Sequence, residues 1–392
     1  MNGVVIVRRN WIALWHPFFE RLVTQHGMQL SVLTPSATAW AGTTSERCPV
    51  GDRGEAYTVT SIPCAFRLYD HEAPMIYGPQ LAPQIAEAEP DVVYIIGEAG
   101  YISTVQAVRA AQSLQKRPKI CLYAAQNIFQ RWPFPFRQIE RYCLQHIDML
   151  FPLGDEHESV ARRKGYTGPA VQMPLGVDHE LFRPLASGDE AVVPQDNGPV
   201  VGYIGKLTQV KGVDLLLEAA AELTPGPRLL LIGQGPAEGR LRGLAERLGI
   251  ASRITWVRAV PHRQLPAYYA AMDVLVLPSR QLSHSALHWW YRVASKEQFG
   301  RVLIEAMACE RPVIGSDSGE IPRVIGDAGL VFRENDPKDL AECLAKLLSD
   351  ESLCRELGLK GRQRVLNMYT WDDIVSRYYG VWRDLVEDPA RA

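Results

Sequence analysis

Residues 200–223 read VVGYIGKLTQVKGVDLLLEAAAEL. The first six form a short apolar run closed by glycine, which predicts a buried strand. Residues 213–223 carry apolar side chains at helical spacing and predict an amphipathic helix. The turn between them holds Lys206 and Lys211. A fully apolar strand that feeds a helix is the repeating unit of a parallel sheet covered by helices on both faces.

The unit recurs downstream. RLLLIG (228–233), ITWVRA (254–259), DVLVLPS (273–279), RPVIGSD (311–317) and GLVF (329–332) predict strands. AEGRLRGLAERLG (237–249), LPAYYAAM (265–272), GRVLIEAMA (300–308) and DPKDLAECLAKLLSD (336–350) predict helices between and after them. Upstream, VVIVRR (4–9), DVVYIIG (91–97), KICLYAA (119–125) and DMLFPL (148–153) predict buried strands, with helices over 83–89 and 104–114. Between the two series, PLASGDEAVVPQDNGP (184–199) is rich in turn formers and reads as a linker. The expected class is therefore α/β, with doubly wound domains over 1–190 and 198–369. Residues 370–392 add an amphipathic helix with no strand after it. Ligands of such sheets bind outside the carboxyl ends of the strands, so two that face each other share one cleft.

Composition bounds the function. With 392 residues, 47% of them hydrophobic, the chain has material for two cores. A net charge of −2 gives no field that would draw it to nucleic acid. Arg162, Arg163 and Lys164 read as a solvated face, with anionic lipid as the other reading. The seven cysteines are scattered, which fits a reduced, cytoplasmic chain. No run approaches the roughly 18 apolar residues of a membrane span. Association with the inner face of a membrane stays open.

Two carboxylates carry the chemistry. In EQFGRVLIE (297–305), Phe299 and Gly300 open a helix whose free backbone N–H groups form an anion site. Gly300 leaves room for a phosphate. Glu297 precedes that start, and Glu305 lies just over one turn inside, its side chain tilted back towards it. The pair can accept hydroxyls on both sides of a diphosphate. The plainer reading is a helix with a solvated glutamate at each end, but Glu305 interrupts an apolar run, and a buried carboxylate needs a partner. Lys206 and Lys211 can hold the diphosphate, or be exposed loop lysines. LIGQGP (231–236) places Gly233 and Gly235 in a G-x-G turn, either at a ligand or only for tight packing. The full dinucleotide fingerprint is missing, so NAD is disfavoured.

Taken in order and spacing, PLGVDHELFRP (174–184), GYIGKLTQVKG (202–212), LLLIGQGP (229–236), VPHRQLPAYYAAMDVLVLPS (260–279), EQFGRVLIEAMA (297–308) and RPVIGSDSGEIPRVIGDAGLVF (311–332) resemble glycosyltransferase family 4, the retaining enzymes of the GT-B fold. The resemblance implies two Rossmann-like domains facing across a cleft. The first would bind a saccharide or lipid-linked acceptor, the second a nucleoside diphosphate sugar, and the last helix would cross back to the first. It implies that Glu297 holds the donor sugar and Glu305 the ribose. The backbone at Phe299, Gly300, Arg301 and Val302 would meet sugar and diphosphate, and Lys206 and Lys211 would neutralise the leaving phosphate. No cofactor or metal is expected, and no D-x-D occurs. Lys206 departs from the arginine usual there and lacks its bidentate fork. Glu310 replaces a glycine, at about 1 kcal/mol if its backbone is left-handed.

Acceptor-side candidates come from the first half. Trp11, Trp15 and His16 follow the first strand, with core packing as the other reading for the tryptophans. Glu98, Gln126 and Asn127 also follow strand ends. His284 and His288 could share a helix face, but two histidines make a poor metal site. Trp289, Trp290 and Tyr291 read as a core wedge or an acceptor-facing lip. The expected activity is hexose transfer to a hydroxyl in polysaccharide or glycolipid assembly. A glycosidase also uses two carboxylates, but not beside a phosphate-type helix start. A sugar-nucleotide epimerase and a non-catalytic binding protein are the alternatives.

Overall fold

A computed structural model of the chain describes residues 1–7, 12–36, 44–50, 55–65, 74–184, 198–288 and 291–387. The chain forms two compact units, one of Met1–Pro174 with the segment from Trp371 onward, the other of Leu175–Thr370. The expected linker falls mostly on residues 185–197, and Trp11, Trp289 and Trp290 likewise lie outside the described residues.

The first unit is built on β1 (Asn2–Ile6), β2 (Gln29–Pro35), β3 (Thr44–Val50), β4 (Glu55–Ile62), a short β5/β6 pair (Cys64–Ala65 and Ile76–Tyr77), β7 (Val92–Ile95), β8 (Lys119–Ala124) and β9 (Met149–Pro152). Its sheet runs β3-β4-β2-β1-β7-β8-β9. All neighbours are parallel except β3 and β4. The helices are α1 (Ile12–Thr24), α2 (Leu81–Glu87), α3 (Ile102–Gln112), α4 (Phe136–His146) and α5 (Asp155–Arg163). Strands β7 and β9 are buried at every residue, as a sheet covered on both faces requires.

The second unit contains β10 (Val200–Ile204), α6 (Val213–Glu222), β11 (Arg228–Ile232), α7 (Glu238–Arg247), β12 (Ile254–Val257), α8 (Leu265–Ala270), β13 (Val274–Leu277), β14 (Leu282–His288), β15 (Tyr291–Ser295), α9 (Arg301–Ala308), β16 (Val313–Ser316), α10 (Ile321–Ile325), β17 (Gly329–Phe332), α11 (Pro337–Ser349) and α12 (Glu351–Met368). Its sheet is wholly parallel, in the order β12-β11-β10-β13-β16-β17. The order reverses around β10 and β13, the point at which such sheets open a crevice for ligands. The loops after these two strands carry Lys206, Lys211 and Ser279.

The last helix, α13 (Trp371–Glu387), belongs to the first unit and packs on α1. The segment 280–296 corrects a sequence reading. His284 and His288 do not share a helix face. They lie on β14, in an antiparallel hairpin with β15.

Candidate functional site

The second unit gathers the two carboxylates by different means. Helix α9 starts at Gly300, whose left-handed backbone (φ 86°) turns the chain into the helix. A Cβ there would sit 2.9 Å from Leu277 Cδ2, so a side chain would have to displace that methyl as well as adopt the left-handed backbone. Gly300 brings no side chain of its own to cap this start. Its N–H turns to the Glu297 carboxylate and the Leu303 N–H to the Gly300 carbonyl, and the helix dipole favours an anion at this end. The Phe299 ring is buried against Tyr369, so only its backbone can serve this end. Arg301 and Val302 are half-buried.

Glu297 stands just before that start. Lys211 Nζ donates to its Oε2 at 2.6 Å, and Ser279 Oγ donates to the same oxygen at 2.7 Å. Burial pushes this carboxyl up. The Lys211 ammonium, the Ser279 hydroxyl and the Gly300 N–H more than offset that and hold it below the usual carboxylate range. Glu297 is thus an ionised acceptor, with a cation in contact. The two residues before Lys211 are bound by Arg280, whose backbone N–H donates to Val210 O at 2.8 Å and whose Nε donates to Gln209 O at 3.0 Å. The Arg280 guanidinium also binds both oxygens of Asp214, Oδ2 at 2.6 Å. Burial raises the Asp214 carboxyl, and Arg280 more than reverses this. Lys206 is exposed, and its carbonyl accepts from Tyr203 Oη at 2.8 Å.

Glu305 is 2% exposed, and its expected partners are present. Tyr269 Oη donates to Oε2 at 2.8 Å, and His262 Nε2 lies 2.8 Å from Oε1. A carboxylate only accepts, so the histidine carries its proton on Nε2. Burial, followed by the Glu305 charge, pushes the Tyr269 phenol well above its ordinary value. The His262 ring lies against Phe182, with 4.9 Å between centroids. His262, Tyr269, Ser279 and Arg280 are the site residues that sequence reasoning left without roles. His262, Tyr269 and Ser279 lie within VPHRQLPAYYAAMDVLVLPS (260–279), one of the segments that carry the resemblance, and Arg280 lies just beyond it, but nothing in the segment pairs any of them with a glutamate. Gly233 and Gly235 have a steric reason of their own. A Cβ on Gly233 would meet Gly205 O at 1.9 Å, and one on Gly235 would meet Leu207 O at 2.3 Å.

In the first unit the candidates divide. Trp15 is not an acceptor contact. It is 3% exposed and packs among Phe18, Tyr94, Tyr123 and Trp371, because the apolar face of α1 must be buried on the sheet. His16 is half-buried, with Nδ1 2.8 Å from Tyr57 Oη. Glu98 follows β7 and is half-buried, and its carbonyl accepts from Thr104 Oγ1 at 2.8 Å. Gln126 follows β8, and its amide oxygen accepts from Lys164, which also pairs with the buried Glu140. Asn127 is 7% exposed.

Residues 189–364 match the family described as glycosyl transferases group 1. A D-inositol 3-phosphate glycosyltransferase of Segniliparus rotundus is 32% identical over 56% of this chain and 49% of its own. A GDP-mannose-dependent alpha-(1-6)-phosphatidylinositol monomannoside mannosyltransferase of Mycolicibacterium smegmatis is 30% identical over 52% of this chain and 54% of its own. The chain spans about half the length of the curated relatives it matches. Among solved structures, a sucrose-phosphate synthase from Thermosynechococcus elongatus superposes with a TM-score of 0.73 at 21% identity, over 98% of this chain and 99% of that one. Anabaena Alr3699/HepE in complex with UDP gives 0.74 at 14% identity, over 98% and 100%.

Proposed function

We propose that this chain, which has the GT-B fold and whose residues 189–364 match the glycosyl transferases group 1, moves a hexose from a nucleoside diphosphate sugar to a hydroxyl acceptor, with retention at the anomeric carbon. The observation that carries the reading is the ionised Glu297, held by Lys211 directly before the glycine start of α9. The diphosphate rests on that helix start, where N–H groups and the helix dipole favour negative charge. Lys211 and Lys206 add cations as the diphosphate leaves. Glu297 accepts from the sugar's hydroxyls. Glu305, fixed from behind by Tyr269 and His262, takes the ribose. The acceptor is a saccharide or a lipid-linked saccharide, in polysaccharide or glycolipid assembly. The Mycolicibacterium relative, named for phosphatidylinositol monomannoside, supports the lipid-linked case. No metal or other cofactor enters this reading.

The test is nucleotide release from a panel of UDP-, GDP- and ADP-sugars. One donor should be cleaved selectively, and Glu297→Ala and Lys211→Ala should each lower that rate about 100- to 1,000-fold. An isomerised donor without any acceptor would replace the transferase by an epimerase. Donor binding without release, with every acceptor tried, would leave a binding protein. No donor binding would remove the reading altogether.

A further inference from the structure

The loop after β8 raises an aromatic ring into solvent. Phe134, in RWPFPFR (131–137), is 80% exposed. Among the described residues the other exposed large hydrophobics are Val331, Leu359 and Met368, and all three belong to the second unit. Along the chain Phe134 lies three residues from an arginine on either side. Arg131 and Arg137 both line a groove of about 370 Å³ against α4 and the end of α5, together with Arg141, Arg163 and Lys164. The four arginines are exposed. Glu140 is the one carboxylate lining the groove, and it is buried against Lys164. Arg163 lies over the Phe129 ring, 4.1 Å from its centroid. Charge is therefore segregated here, in a chain whose net charge is −2.

From this juxtaposition we infer that the Phe134 loop and the arginine groove form a docking surface for an anionic lipid bilayer. A soluble phosphate ester would use the cations but leave Phe134 in water. A protein partner would require a broad apolar centre, and among the described residues this unit exposes one large apolar side chain. A bilayer interface takes both features together: aromatic rings settle at headgroup depth, and cations meet the lipid phosphates. The same loop carries Gln126 and Asn127 at the end of β8, so docking brings that strand end next to the lipid surface. The inference does not rest on the transferase reading, and its test needs no activity.

The test is sedimentation of the full chain with phosphatidylcholine vesicles and with vesicles that also contain phosphatidylglycerol. Three variants accompany the parent: Phe134→Ala, the double variant Arg137→Glu with Arg141→Glu, and a charge-matched control, Arg247→Glu with Lys346→Glu. Thermal unfolding verifies that each is folded as the parent is. The parent should bind only the anionic vesicles, and less at high salt. The groove variant should lose on the order of 25-fold or more in partitioning. Phe134→Ala should lose about tenfold, and the control should bind as the parent does. Equal binding to both vesicle types, equal loss in the control, or no binding overturns the inference. So does calorimetric binding of soluble glycerol phosphate by a chain that ignores vesicles, which would make the groove a site for a soluble ligand.

Discussion

At Glu297, burial and charge act in opposite directions, and charge wins. Its carboxyl is held below the ordinary 4.5 by Lys211, Ser279 and the Gly300 N–H. A carboxyl depressed by folding stabilises the protein above its unfolded value, and the gain is lost as pH falls through the folded value. The urea midpoint of the parent should therefore exceed that of Glu297→Gln by a constant margin from neutral pH down to 4.5, and the margin should shrink below it. A margin that is constant down to acid denaturation would mean that Lys211 does not hold the charge. Glu305 gives a second prediction. Tyr269→Phe leaves its buried Oε2 short of a donor, and should cost about 1–3 kcal/mol in urea unfolding. It should also weaken donor binding, because the carboxylate is then free to turn. Glu297, Glu305 and Lys211 were legible because their types and spacing sit in one contiguous loop and helix, or at one strand end. Their holders were not. His262 and Tyr269 stand 43 and 36 residues from Glu305 in the chain. Only the folded sheet brings α8 against α9, and a single sequence carries no sign of that pairing.

Elements were legible where burial is uniform. β7, β9, β10 and β13 are buried on both faces and read as unbroken apolar runs. β4, EAYTVTSI, alternates apolar and polar residues, and β3 pairs with it antiparallel at the sheet edge. Neither looks like a parallel central strand, so a search for Val- and Ile-rich runs passes over both. The hairpin β14–β15 was missed for a related reason, since histidines four apart match a helix repeat as well as a strand. The end of α9 makes a sharper statement. Glu310 follows this helix with φ 58°, the left-handed backbone its position in the sequence had suggested. Glu310→Gly removes the Cβ penalty but loosens the unfolded chain. The net gain should be about 0.5–1 kcal/mol, read as a rise of roughly 1–4 °C in Tm. A fall in Tm would mean that the Glu310 side chain stabilises the turn by more than its backbone strains it.

Across the whole molecule, the repeat of strand and helix announced two doubly wound sheets, each with its own core. That repeat does not say which core the last helix completes; the family resemblance assigned it to the first, where the structure has it. TWDDIVSRYYGVWRDLVE is amphipathic, and any apolar surface would satisfy it. In the structure it closes the first unit, 196 residues along the chain from where that unit's first segment ends at Pro174, counted to Thr370. Tyr378 Oη meets Tyr94 Oη at 2.9 Å, and Trp382 is 1% exposed, with its ring 5.4 Å from Tyr94 and 6.1 Å from Phe18. The first unit's stability is therefore held partly by a segment that follows the whole second unit along the chain. Trp382→Ala should remove about 3–5 kcal/mol from that unit by opening a cavity among aromatic rings. The ring partners of Trp382 among the described residues, Phe18, Tyr94, Phe151 and Tyr378, all belong to the first unit, and the second unit has its own core of β10, β11, β13 and α6. Calorimetry should accordingly show one transition moved to lower temperature and a second left in place. Hydrogen exchange assigns them, with early loss of protection expected in β1, β7 and β8 and none in β10 or β13. Loss of protection in both sheets at once would mean that the two units unfold as one, and that α13 stabilises the whole chain rather than the sheet it covers.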